Sequence, residues 1–129
     1  MKQEFGMRGH RDLEAWQASM RFVTRIYVAS KKFPKDELFG ITSQLRRAVV
    51  SVASNIAEGY GRKSPREFRK FINNSIGSLL EVETQLEIAR NLDYLDSHTS
   101  ADLLRECEEL VRLLNGLRNW IEAQITREK

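Results

Sequence analysis

Apolar residues recur at three- and four-residue steps through four long stretches of the chain, and no alternating apolar–polar run of similar length competes with them. That period gathers apolar side chains on one face of an α-helix, so the sequence predicts an all-α fold of amphipathic helices. Two prolines and seven glycines in 129 residues are too few for a loop-rich β fold. The predicted helices cover about 12–32, 37–58, 65–90 and 99–127.

In the first helix the expected core seam is Leu13, Trp16, Met20, Val23 and Tyr27. Asp12 is the expected N-cap, and Phe33-Pro34 ends the helix because the residue before proline is pushed out of the α region. The second seam is Leu38, Ile41, Leu45, Ala48, Val52 and Ile56, with Gly59 as its expected left-handed stop. Ser64-Pro65-Arg66-Glu67 opens the third helix as a capping box with proline at the first helical position. Phe68, Ile72, Leu79, Val82 and Leu86 follow on one face. The fourth seam runs through Leu103, Cys107, Leu110, Leu114, Leu117, Ile121 and Ile125. Short connections between such helices predict one domain over 1–129, an antiparallel up-down-up-down four-helix bundle.

Helix one carries a second apolar stripe. Stepping about 100° per residue from Leu13, Ala15, Ala18, Phe22, Ile26, Ala29 and Phe33 fall opposite the seam. A monomer needs one buried stripe per helix, so Phe22, Ile26, Ala29 and Phe33 are expected to form an oligomer interface. The alternative is a wide stripe covered by the N-terminal arm or the 31–36 loop.

Charge is uneven. The net charge is +3, but residues 1–70 carry +8 and residues 71–129 carry −5. Arg62, Lys63, Arg66, Arg69 and Lys70 cluster around Glu67, with Tyr60 nearby as a stacking platform for a base. In the bundle this end also receives Lys2, Arg8, Arg11, Arg127 and Lys129. Such a surface attracts phosphate backbones by counterion release, so RNA or DNA is the expected partner there. The alternative is a soluble helix start that pairs with the acidic fourth helix.

Several chemistries lack their residues. A single cysteine excludes a disulfide framework within the chain, and Cys107 reads as a small core residue. Neither His10 nor His98 stands three residues after a glutamate, so no carboxylate-bridged metal site is expected, and no cofactor. Gly59-Tyr60-Gly61 lacks the P-loop lysine spacing. No signal-peptide core and no apolar run of the roughly 18 residues needed to span a bilayer is present, so a cytoplasmic, non-enzymatic protein without membrane contact is expected.

Between Ser43 and Leu95 stand S-Q-L-R-R-A (Ser43 to Ala48), S-N-I-A-E-G (Ser54 to Gly59), G-S-L-L-E-V-E-T-Q-L (Gly77 to Leu86) and I-A-R-N-L-D-Y-L (Ile88 to Leu95). With D-L-E-A-W-Q (Asp12 to Gln17), these make the chain resemble, over nearly its whole length, bacterial four-helix-bundle proteins encoded by intervening sequences within 23S rRNA genes. The resemblance implies a homopentamer. It also implies distant kinship with the accessory bundle proteins of diversity-generating retroelements, which bind nucleic acid and a reverse transcriptase. Asp93 stands where the family pattern has glycine. Arg46, Asn55, Glu58 and Glu83 read as a structural polar motif, with Arg46 and Glu83 as a buried or interfacial ion pair. The function expected is a self-associating assembly module that engages nucleic acid through its basic end. The alternative is a structural or protein-partner adaptor.

Overall fold

A computed structural model describes residues 9–127. A 3-10 turn at His10–Asp12 leads into α1 (Glu14–Ser30), and a second at Lys35–Glu37 leads into α2 (Ile41–Gly61). Helices α3 (Pro65–Asn91) and α4 (Ser97–Arg127) complete an all-α fold with no strand among the described residues.

The helix boundaries have local causes. At α3 the N-cap half of the expected capping box forms: Ser64 Oγ accepts from the Glu67 amide at 3.3 Å and Pro65 occupies the first turn, while the Glu67 carboxylate lies toward Lys70. Asp12 does not cap α1, because it sits in the preceding 3-10 turn and Leu13 takes the cap position. Asp96 caps α4, its carboxylate accepting from the Thr99 amide at 2.7 Å and the Thr99 hydroxyl at 3.0 Å. Those hydrogen bonds hold its pKa below the usual aspartate value.

Gly59 does not stop α2. The helix runs on to Gly61, and the left-handed residue is Lys63, at φ 58°. Gly59 is instead buried where α2 meets α3: a Cβ there would lie 2.6 Å from Phe71 Cβ. Asp93 adopts φ 60° just past the end of α3. Its amide donates to Arg90 O and the Tyr94 amide to Ala89 O, closing a Schellman turn at a position glycine would fill without strain.

Each helix packs on its neighbours in sequence and α1 closes onto α4, while the diagonal pairs stay apart. Ser75 Oγ donates to Val52 O at 2.8 Å between α2 and α3, and Ser51 and Ser78 share a hydrogen bond at 3.0 Å. Arg69 pairs with Glu122, and Arg118 bonds Asn73, between α3 and α4. The core follows the expected faces of α3 and α4, with Phe68, Ile72, Leu79, Val82 and Leu86 opposite Leu103, Cys107, Leu110, Leu114, Ile121 and Ile125.

Helix α1 corrects the sequence reading. Phe22 and Ile26 are completely buried, Phe33 is buried and Ala29 packs against the core, so this stripe faces the bundle interior and does not form a free oligomer surface. Met20 and Tyr27, assigned to the seam, are 42% and 39% exposed. Ser19 and Ser30 lie between the apolar core residues and are buried as well. Their hydroxyls bond back to Ala15 O and Tyr27 O, so burying them leaves no polar atom stranded. Leu38, placed in the second seam, lies outside α2 and is exposed.

Candidate functional site

The basic turn is less free than its sequence suggests. Arg62 pairs with Glu58 at 3.2 Å and stacks on the Phe71 ring, Arg69 reaches Glu122 on α4 at 3.1 Å, and Lys70 sits 3.7 Å from Glu67. Lys63 and Arg66 are exposed and have no acidic partner among the described residues. Tyr60 is half-buried, edge-on to Phe68 with ring centroids 6.0 Å apart, so its ring belongs to the packing of this end. Lys2, Arg8 and Lys129 lie outside the described residues.

The polar motif divides between helix pairs. Arg46 crosses from α2 to α1, where Nε donates to Ser30 Oγ at 2.8 Å and the guanidinium lies 4.8 Å above the Tyr27 ring. Glu83 lies instead near Cys107 of α4, close enough to help raise that thiol's pKa. Arg46 and Glu83 therefore form no ion pair, because they serve different seams of the bundle. Asn55 donates to Ser51 O and Ser51 Oγ within α2. Glu58 holds Arg62.

Burial pushes the Cys107 thiol up to about 12, with Glu83 adding to the shift, and Sγ lies 3.4 Å from Leu79 O. Such a thiol is inert. Among the described residues no group of three or more potential metal ligands gathers. No helix of the described residues is long and apolar enough to cross a membrane.

Open grooves on the surface of the described residues include one between α1 and α4 and one between α1 and α2. The larger, about 720 Å³ between α1 and α4, balances Arg21, Arg25, Arg105 and Arg112 against Glu14, Asp102, Glu106 and Glu109. Arg25 meets Glu106 at 2.8 Å and Arg105 meets Asp102 at 2.5 Å, so much of its charge is already satisfied internally. The second, about 480 Å³, lies between α1 and α2 and is lined by Tyr27, Leu38, Phe39, Thr42, Arg46 and Val50, among others. Phe39 is 92% exposed, and the buried Thr42 Oγ1 has no hydrogen-bond partner among the described residues.

The loop bearing Phe39 is tied down. Tyr94 OH donates to Glu37 Oε2 at 2.8 Å, and Glu37 Oε1 faces the Ile41 amide at 3.4 Å. Glu37 thus anchors the loop to the α3–α4 connection and to the start of α2, and Leu38 and Phe39 face outward from that anchor. Phe39 was not singled out by the sequence reading. Its signal is an aromatic outside every helical stripe, next to Gly40.

The family described as 23S rRNA-intervening sequence protein matches residues 11–116. The chain belongs to that family. A crystal structure of a protein of unknown function from the S23 ribosomal protein family of Bacteroides thetaiotaomicron shares its fold, with a TM-score of 0.75. The two are 22% identical, over 81% of this chain and 95% of that one. No curated protein matches the chain. Several residues of the elements that carry the family resemblance sit in the packing: Gly59 lies against Phe71, and Gln85 and Leu86 are buried on α3.

Proposed function

We propose that this member of the family is a non-enzymatic assembly module, a cytoplasmic antiparallel up-down-up-down bundle that associates with copies of itself. The antiparallel reading is supported by the contacts between α3 and α4, in which Arg69, Asn73 and Leu79 meet Glu122, Arg118 and Cys107 in falling order. Ser75 with Val52 and Ser78 with Ser51 follow the same rule between α2 and α3.

The observation that carries the assembly reading is Phe39, 92% exposed on an anchored loop beside an open groove. Val28, Tyr27, Leu38 and Val50 are also exposed on α1, the loop and α2. An apolar surface of this kind is costly to leave in water and is removed by association. The subunit number implied by the family resemblance is five. Sedimentation velocity tests the reading: the wild type should sediment as a defined species heavier than one 15.0 kDa chain. Phe39→Glu should sediment as a monomer with its helical circular dichroism intact. A wild type that stays monomeric at every concentration overturns the reading and favours the adaptor alternative, in which the same face takes a different protein.

A second reading is nucleic-acid binding at the α2–α3 turn, favoured by Lys63 and Arg66, which are exposed and have no acidic partner among the described residues. Arg62, Arg69 and Lys70 already pair with Glu58, Glu122 and Glu67, which predicts weak binding of RNA or DNA with a shallow salt slope. Changing Lys63 and Arg66 to glutamine should weaken all sequences about equally and flatten the salt slope. Gel-shift titration at several salt concentrations measures this. Absence of wild-type binding at low salt removes the reading.

A further inference from the structure

The groove between α1 and α2 has a complement elsewhere on the same chain. Helix α3 carries an outward stripe at Gly77, Leu80, Thr84 and Ile88, a spacing that puts all four on one face. Leu80 is 51% and Ile88 42% exposed, and the space above Gly77 is open. Glu81, on the flank of this stripe, is exposed and without a cationic partner among the described residues.

Charge divides in the same way. From Ile41 to Ala57, α2 has Arg46 and Arg47 and no acidic residue. From Phe71 to Ala89, α3 has Glu81, Glu83 and Glu87 and neither lysine nor arginine. These opposite charges do not neutralise each other within one subunit: Arg46 bonds Ser30 and Arg47 bonds Ser43. The groove therefore presents apolar surface and, among the described residues, an unpaired Thr42 hydroxyl and arginines without acidic partners. The α3 stripe presents apolar side chains and an unpaired carboxylate.

We infer that the α1–α2 groove of one subunit receives the α3 stripe of a second copy of this chain, with Phe39 packing against Leu80 and Ile88 and Arg47 meeting Glu81. This rests on the assembly reading above and names the surface that fills the Phe39 face. The two surfaces differ. Made once per interface, the contact is head-to-tail and leaves a groove and a stripe open at the ends of every chain of subunits until a ring closes, whereas a two-fold dimer has to make it twice across its axis. Complementary charge also fixes the register of the apolar contact and disfavours groove-to-groove pairing, which would bring arginines together.

Two variants test the inference by sedimentation velocity, alone and mixed. Phe39→Glu removes the groove's anchor and leaves the stripe, while Leu80→Glu with Ile88→Glu removes the stripe and leaves the groove. Each should be monomeric alone with unchanged helical circular dichroism, since all three residues are exposed. Mixed in equal amounts, they should form a species of two subunits and nothing larger, because one intact groove then meets one intact stripe. As a second measurement, Arg47→Glu and Glu81→Arg should each shift the wild-type assembly at least tenfold toward monomer, and the chain bearing both changes should regain most of that loss. Wild-type-like assembly of the Leu80/Ile88 variant, or a mixture that stays monomeric, overturns this pairing and leaves the assembly reading standing. A wild type that never assembles overturns both.

Discussion

Gly59 on α2 lies against Phe71 on α3 so closely that a methyl group added to the glycine would stand 2.6 Å from the Phe71 Cβ. Phe71 Cβ is fixed to the α3 backbone, so relief requires the two helices to move apart. Gly59→Ala should therefore cost about 1–3 kcal/mol through overpacking. Gly116→Ala is the control: it lies within α4 with open space above its Cα, and it should stabilise by up to about 1 kcal/mol through helix propensity. Urea unfolding with unchanged slope measures both.

Phe22 and Phe39 differ in burial as far as two phenylalanines can, 0% against 92% exposed. Phe22→Ala empties part of the core and should destabilise the fold by about 3–5 kcal/mol. Phe39→Ser should leave the unfolding midpoint of the dilute monomer within about 0.5 kcal/mol of wild type, as surface changes do. Equal losses at the two sites would show that Phe39 is part of the fold's own packing.

Arg46→Met removes the hydrogen bond to Ser30 and the stacking on Tyr27 but strands no carboxylate. Its expected cost is about 1–2 kcal/mol. Arg46 and Glu83 share no contact, so the double variant with Glu83→Leu should show losses that add within about 0.5 kcal/mol. A larger coupling energy in the cycle would restore the ion pair that the sequence alone suggests.

Glu106 carries the most informative pH dependence. Burial raises its carboxyl pKa, and the Arg25 guanidinium at 2.8 Å only partly offsets that rise. The folded state therefore holds this proton more tightly than the unfolded chain, and its contribution to stability declines as pH rises through the carboxylate range. Glu106→Gln should raise the thermal midpoint at neutral pH. The gain should shrink toward acid and close below the unfolded value of about 4.3, where both states carry the proton. A thermal midpoint lowered at pH 7 would mean that the ion pair with Arg25 outweighs burial.

Helical period and capping chemistry were legible because both act within a few residues. Ser64, Pro65 and Glu67 start α3 where the sequence places it, and the apolar faces of α3 and α4 are the faces that pack. The basic cluster was equally visible, but its neutralisation was not: Arg69 meets Glu122 only because α3 and α4 lie side by side. Helix α1 shows the limit most clearly. It bears two apolar stripes, and helical period by itself does not choose between the one with Met20 and Tyr27 and the one with Phe22 and Ile26. The packing of α2 and α4 against α1 decides between them, and the stripe it buries can include Ser19 and Ser30 since their hydroxyls bond back to the helix backbone. Gly59 was placed at a helix stop because glycine commonly ends helices, whereas its role is set by a residue on another helix, Phe71. The sequence by itself thus determined the helices, which are local products of period and caps. Which face of α1 is inside, which charges remain free and where Phe39 points were decided by tertiary structure, because each depends on what a neighbouring helix presents.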